Sequence, residues 1–546
     1  MSRAAPSSAP SASPAPTASS PGTDRKSPLA SIGARLSFAV FMAVVGVPIW
    51  WKTTQIFRVP LPYERIHTLS ETLKVPVAIH LVSMDVRKDH QLGLLLQKAF
   101  TEGPPSDVFE FQLQSRAPTQ EESKAAQAAS SLSALEARMQ ELHRGWPVGS
   151  ILVFDVGRDD LVPVETPVIL GHSRIVFINR AVAIPDLALA LRQTWLGETH
   201  TADLIAAIQA PRHDRDRASV LRRVTAARGY DILFSLLLPQ PDVTPLTWDV
   251  ERGLQQYLDP FLHNLRNYSA FSVHSQVLHL TSLNLRPETK GGVHFVTARD
   301  CGLAINPVES QLASHVSSNP RLNFLLYVPP MEQSPLVIKK NDHSEEPLES
   351  NAFIIPRWGG VAIHNPAPGD TSEIHLGKYM SIFLSQLRLL LGLQSDSQAP
   401  NGIVVLPHPS LRSWEYDYLM RSRILENLVL TRLTLQSLSH LLTQISNIVI
   451  NEDVGERVFK AVNAFEKAQS QLDSGHLEEA FQSSKEAFDA SEEAFFDPTL
   501  LGLLYFPEDQ KYAIYIPLFL PVGIPVLMSL KSVYTFFRDP KVIKVD

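Results

Sequence analysis

Cys301 is the sole cysteine of this 546-residue chain. It is therefore the one residue that could act as a thiolate nucleophile, and an intrachain disulfide is impossible. Its acid–base partner would have to come from elsewhere in the fold, and a lone cysteine more commonly serves as a small buried hydrophobe. Asp214-Arg215-Asp216 has the Asp-x-Asp spacing with which many glycosyltransferases hold a divalent cation. Arg212, His213, Arg217, Arg222 and Arg223 surround that pair, and their positive charge competes with a cation and suits a solvated charged surface. The 18 histidines include no pair at zinc-ligand spacing beside a matching carboxylate. A glycine-rich phosphate loop and a Gly-x-Ser-x-Gly elbow are both missing, and 25 glycines are ordinary for this length. No catalytic, cofactor or metal site is legible, and an enzyme would need residues assembled in space. A free-standing, metal-dependent glycosyltransferase working through Asp214 and Asp216 is the alternative reading, testable by loss of transfer in Asp214→Ala.

One triplet could be modified rather than react. Asn267-Tyr268-Ser269 is an acceptor sequence for N-glycosylation, which places it on an exported surface if used. The elements that would carry it there are two apolar runs near opposite ends of the chain. Tyr512–Leu530 is free of charge between Lys511 and Lys531; as a helix it covers roughly 28 Å, close to the hydrocarbon core of a thin bilayer. Pro517, Pro521 and Pro525 recur within it at every fourth position. Such a ladder would break a soluble helix but is tolerated where neighbouring helices satisfy the freed carbonyls. Leu36–Trp51 is shorter, with Arg35 before it and Lys52 after it. The bulky Trp50-Trp51 pair suits an interfacial anchor better than a signal-peptidase site.

Basic residues near these runs set an orientation. Arg25, Lys26 and Arg35 precede the first, and Lys531, Arg538, Lys541 and Lys544 follow from the end of the second. Lys52, Arg58 and Lys511 lie on the inner sides. The outer excess predicts cytosolic termini and a translocated middle. The sequence therefore divides into a disordered cytosolic tail (1–35), a first transmembrane helix (36–52), an α/β domain (53–410), a helical subdomain (411–510), a second transmembrane helix (511–531) and a short cytosolic tail (532–546). Arg35 could also meet anionic lipid headgroups at the cytosolic surface. A formal charge of −7 and a pI near 6.2 argue against a nucleic-acid partner.

The middle is patterned for a packed core, with 44% hydrophobic residues. Strands are predicted at Val75–Val82, Val108–Gln114, Ser150–Val156, Val168–Ile178, Asp231–Leu238, Phe271–Leu280, Val293–Val296, Arg321–Val328 and Val361–Ile363. Helices are predicted at Gln91–Phe100, Glu121–His143, Pro185–Leu196, Leu246–Tyr268 and Ile374–Leu393. That alternation defines an α/β domain with a mixed or largely parallel sheet. After about residue 410 the pattern turns helical. Leu425, Leu428, Leu435, Leu438, Leu442 and Ile445 mark one helix within 424–450. Asp453 with Glu456 gives a capping signal for a second helix to Asp473, and Gly475 separates it from a returning arm at Leu477–Phe495.

Several blocks go further than patterning: GVPIWWKTT (46–54), GYDILFSLLLPQPD (229–242), WDVERGLQQYLDPFLHNLRNYSAFSVHSQVLHL (248–280), INPVES (305–310), LNFLLYVPP (322–330), PRWGG (356–360), ISNIVINEDV (445–454) and AFFDPTLLGLLYFPEDQKYAIYIPLFLPVGIP (494–525). Together the chain resembles the PIG-S family, the S subunit of the glycosylphosphatidylinositol (GPI) transamidase, over about residues 46–530. The resemblance implies a non-catalytic structural subunit of an endoplasmic reticulum membrane complex, whose cysteine nucleophile lies in a different subunit. It implies as partners the catalytic K subunit, the T and U subunits and the GAA-type subunit. It also implies two spanning helices around a lumenal domain, and it places Asn267 inside a matching block.

Overall fold

The structure is a computed structural model. It describes residues 28–538 apart from 55–57, 71–72, 85, 103–105, 180, 211–222, 298–299, 301, 303–304, 310, 313–316, 318, 341–345, 367–373, 394–401, 409, 446–447 and 502–507, and leaves out the side chains of some helical residues, Arg35 among them. The chain forms two compact units. The larger comprises residues 59–446 and 451–498; the smaller comprises the stretch up to Arg58, Asn447–Ile450 and the chain from Thr499.

Apolar runs build two main sheets in the larger unit. The first has the order β14-β4-β5-β3-β1-β2, from β1 (Val75–Ser83), β2 (Phe109–Arg116), β3 (Ile151–Asp155), β4 (Val168–Leu170), β5 (Ile175–Ile178) and β14 (Ile403–Val405). β1 runs parallel to β2 and β3, and β5 is parallel to β3, whereas β4 turns back antiparallel on β5. All five residues of β3 are buried, as expected for a central strand covered on both surfaces. Leu152, Phe154, Phe177 and the helical residues Leu135 and Met139 share one core there.

The second sheet has the order β12-β13-β10-β6-β7, from β6 (Gly229–Leu238), β7 (Ala270–His279), β10 (Arg321–Tyr327), β12 (Ala352–Ile355) and β13 (Gly359–Ile363). It is parallel except for β12 at its edge. β6 is buried along its whole length. β7, with β6 on one side, carries mostly exposed or half-buried side chains. A smaller sheet of β8 (Glu288–Lys290), β9 (Val293–Val296) and β11 (Leu336–Ile338) adds Val296, Leu336 and Ile338 to the core over Leu237, Leu325 and Val361.

The mixed α/β expectation agrees with these sheets, with local corrections. Val168–Ile178 is a hairpin and not one strand: Gly171 N donates to Ile175 O at 3.3 Å and reverses the chain between β4 and β5. The helix expected at Glu121–His143 divides into Gln120–Ala128 and Leu132–Leu142, because Ser131 leaves helical geometry and caps the second piece through Ala134 N. The helix expected over Leu246–Tyr268 starts only at Val250, capped by Asp249, and contains a π-helical turn at Leu254–Leu258. The predicted capping by Asp453 is displaced: Asn451 is the N-cap of helix Glu452–Asp473 and makes no side-chain capping bond.

In the smaller unit, α-helical Pro28–Phe41 and Val47–Thr54 flank a π-helical turn at Met42–Gly46, and Glu508–Arg538 is helical through all three prolines. Trp50 packs edge-on against Tyr515 and Phe519, with ring centroids 6.3 and 5.2 Å apart. Large apolar side chains point outward from both helical stretches, among them Val44, Trp51, Leu527 and Met528. Both expected transmembrane segments, 36–52 and 511–531, are thus helical. Among the described residues, however, no helix is long and apolar enough to cross a membrane. The π turn interrupts the first segment.

Candidate functional site

The polar centre of the larger unit is the 32-residue helix Ser413–Gln444, here called the spine helix. Its apolar residues pack around a chain of charged ones, and Arg412, Glu415, Asp417, Arg421, Arg423, Glu426 and Arg432 are all buried. Buried charges persist only when opposite charge and hydrogen bonds replace water. Nearly every carboxylate on this helix meets that condition by reaching a different part of the chain.

At the N-terminal end, Glu415 accepts from Arg412 Nη1 at 2.7 Å and from the Arg412 amide at 2.9 Å, and Arg388 donates to the same carboxylate. Two residues on, Asp417 accepts from Arg174 Nε and Nη2 at 2.5 and 2.8 Å and from the Gly149 amide at 3.1 Å, tying the helix to the first sheet. Burial disfavours the Arg174 charge, but Asp417 outweighs it and raises the guanidinium above its ordinary value. Two turns further, Glu426 accepts from Arg223 Nη2 at 3.0 Å and from the Ala226 amide at 2.9 Å, just before the second sheet begins. Arg423 adds bonds to Tyr230 Oη and Tyr268 Oη at 2.6 and 3.1 Å. One helix therefore clamps both sheets through charge-assisted hydrogen bonds.

The Tyr268 ring lies under the Arg423 guanidinium, 5.2 Å from its centroid, and stacks on Phe481. Asn267 precedes it in a turn with its own residue exposed, while Tyr268 and Ser269 are each 3% exposed. The buried tyrosine fixes the turn, and the turn presents Asn267 to solvent. Of the other residues singled out in the sequence, Asp214, Asp216 and Cys301 lie outside the described residues, as does the Arg35 side chain. The backbone of Arg35 is helical. Among the described residues no group of three or more His, Cys, Asp or Glu could hold a metal ion.

A further buried carboxylate, Glu122, lies beside the first sheet. Arg116, at the end of β2, grips it at 2.8 and 2.5 Å, the Thr119 amide donates at 2.6 Å, and His143 Nε2 stands 2.9 Å away. Trp146 lies against both His143 and His80. Burial pushes the Glu122 carboxyl up, but Arg116 and the Thr119 amide outweigh it and hold it at about 2. Burial lowers His143 below its usual value despite Glu122. A carboxylate so fully engaged is a poor general acid; it serves as a capping box and clamp. Because its folded value is depressed, its stabilisation is complete above the unfolded value near 4.5 and disappears as pH falls toward about 2. Unfolding midpoints measured between pH 6 and 2, with the end points set by the reference and folded values, should fall more steeply for the wild-type chain than for Glu122→Gln. Parallel curves would remove this assignment.

The helix expected within 424–450 forms the later part of the spine, which begins already at Ser413 and ends at Gln444; its buried charges were missed in the sequence, although a signal was present. Arg412 to Arg432 intersperses charges with Leu, Ile, Met and Trp so evenly that no side of a helix is purely polar. A helix of that kind has no solvated stripe and must bury charge.

The fold and this spine define a class: a two-sheet α/β body braced by a long ion-paired helix and a helical hairpin, accompanied by a separate helical unit. Residues 37–539 match the PIG-S family, described as phosphatidylinositol-glycan biosynthesis class S protein. The chain belongs to that family. It is 37% identical over 527 residues to a Bos taurus protein named GPI-anchor transamidase component PIGS, covering 92% of this chain and 94% of the relative. The Homo sapiens protein of the same name is 36% identical with the same coverage. A Schizosaccharomyces pombe protein named GPI transamidase component PIG-S homolog is 24% identical over 519 residues, 94% of this chain and 85% of the relative.

Proposed function

We propose that the chain is a component of the GPI transamidase, where it acts as a non-catalytic structural subunit supporting attachment of GPI anchors to the C-termini of proproteins. The observation that carries this reading is similarity along 92% of the chain to proteins named as components of that enzyme. The geometry agrees with it. The charged residues buried along the spine are engaged mainly in joining the two sheets, so the centre of the body is built for rigidity. Holding other subunits and a substrate at fixed separations raises their effective concentration without bond chemistry. Neither the relatives' names nor the described residues speak for the glycosyltransferase alternative through Asp214 and Asp216.

In this reading the chain sits in the endoplasmic reticulum membrane with both termini cytosolic and the larger unit lumenal, and its partners are the catalytic K subunit, the T and U subunits and the GAA-type subunit. Outward-pointing apolar side chains on the smaller unit support the membrane location, and in the same reading Arg35 meets anionic headgroups at the cytosolic surface. The tagged full-length protein in sealed microsomes tests the topology. Its middle should resist added protease and lose one mobility step on endoglycosidase treatment, and Asn267→Gln should lack that step. Digestion of the middle in sealed vesicles would overturn the topology. Absence of the other subunits from a detergent pull-down would overturn the assignment to the complex.

A further inference from the structure

A cleft of about 330 Å³ opens beside the first sheet, between β1 and β2, the Pro147–Ser150 loop and the turn joining the two hairpin helices Glu452–Asp473 and Leu477–Phe495. The spine helix contributes Arg421 to its lining, a residue only 1% exposed. Arg421 Nη2 donates to the Gly149 carbonyl, while Nε and Nη1 are buried with no hydrogen-bond partner among the described residues. A guanidinium offers five N–H donors in a planar fork, and leaving two of its nitrogens unmatched inside a protein is costly.

The neighbouring carboxylate cannot supply the match. Asp417 already accepts two bonds from Arg174 and one from the Gly149 amide. Two guanidiniums thus share this one buried carboxylate, with Glu478 adding negative charge near Arg174. Burial pushes Arg421 down to about 10, Asp417 opposes this, and Arg174 adds to it. The rest of the polar lining is neutral or able to donate: His80, Gln112, Gln114, Ser150 and His476, with Asp473 exposed at the rim. Helix Leu477–Phe495 also begins at the cleft, and its N-cap, His476, makes no side-chain capping bond; the positive potential of its first-turn amides is opposed there by Glu478 and Glu479.

We propose that this cleft is an oxyanion-binding site in which a small phosphate or carboxylate group docks against Arg421. Arg421 Nε–H and Nη1–H lie on different sides of the guanidinium, so each offers a single donor to an anion oxygen, and the volume is at the lower end of the range for ligand pockets. The proposal stands independently of membrane topology and of the transamidase assignment.

The test measures unfolding midpoints of the detergent-purified full-length protein during titration with sodium phosphate and, separately, sodium acetate, with ionic strength held constant by sodium chloride. A ligand that binds only the folded state raises the midpoint with a saturating dependence on its concentration. At least one anion should do so for the wild-type chain, and the one that does identifies the group. Gln112→Glu changes an exposed side chain and places a negative charge in the lining. It should raise the half-saturating concentration about tenfold or more. That corresponds to about 1.4 kcal/mol by the tenfold rule. Arg421→Met should abolish the response; should that variant fail to fold, Gln112→Glu alone decides. No saturable response to either anion, or the same half-saturating concentration in Gln112→Glu and wild type, would overturn the proposal.

Discussion

Replacing Glu426 by alanine should destabilise the larger unit by about 3–5 kcal/mol, the cost of removing one partner from a buried ion pair. The carboxylate takes two bonds, from Arg223 Nη2 and the Ala226 amide, and its neighbour Arg423 lies 3.6 Å away. With the carboxylate gone, the Arg223 and Arg423 charges would stay in an interior where their residues are 8% and 5% exposed. Burial works against the charge on Arg223, and Glu426 is the main group that raises it. Glu426→Gln keeps an acceptor for the Ala226 amide but loses the charge, so its effect should fall between those of wild type and alanine. Lys460–Glu486, an exposed pair at 3.2 Å, supplies the control, and Glu486→Ala should cost less than about 1 kcal/mol. Denaturant unfolding of the three variants checks the order. Equal midpoints for Glu426→Ala and Glu486→Ala would mean that the spine pairs do not hold the sheets.

Gly359→Ala should be comparably severe for a different reason. Gly359 pairs with Asn323 where β13 meets β10, and its φ of +153° is one that side-chain-bearing residues rarely adopt. An added Cβ would lie 1.8 Å from the Asn323 carbonyl oxygen and 2.8 Å from its amide nitrogen. Those atoms are main chain, and the Asn323 amide is itself bound to Trp358 O at 3.0 Å, so relief requires β13 to part from β10. A loss of about 4 kcal/mol or more follows. Gly291 has φ +60° and open space around its missing Cβ; alanine there should cost about 1–2 kcal/mol of backbone strain alone. Limited proteolysis and unfolding midpoints distinguish the two. Similar protection of both variants would contradict the close approach.

The strands expected in the sequence at Val75, Val108, Ser150 and Asp231 are present within a residue or two, because long runs of Val, Ile, Leu and Phe leave few other ways to bury so much surface. β8, β11, β12 and β14 were not anticipated. They are three or four residues long, too short for any period to register, and they exist because neighbouring strands offer them an edge. The hairpin at Gly171 was hidden for a related reason: Val168–Leu170 and Ile175–Ile178 read as one apolar stretch until hydrogen bonding reveals the reversal. The helical hairpin was legible because Gly475, at φ +78°, ends one helix and Leu477 opens the next. Asn267 was legible as a motif, but its exposure depends on Tyr268 being anchored by Arg423, a residue 155 positions later. The pairings of the spine and the Arg421 cleft were illegible because the partners are remote in sequence: Arg174 with Asp417, Arg223 with Glu426, and Gly149 with Arg421.

That remoteness constrains how the protein is made. The clamps join residues 203 to 272 positions apart. At about 5–20 residues per second, a ribosome that has produced Arg174 needs on the order of tens of seconds to reach Asp417. β14 completes the first sheet at Ile403–Val405, only after the whole second sheet has been synthesised. Until then the earlier half of the chain waits with an unsealed edge and unmatched arginines, the period in which a nascent chain most depends on chaperones. Premature termination before Ile403 would thus leave the first sheet unfinished and Arg174 without its Asp417 partner.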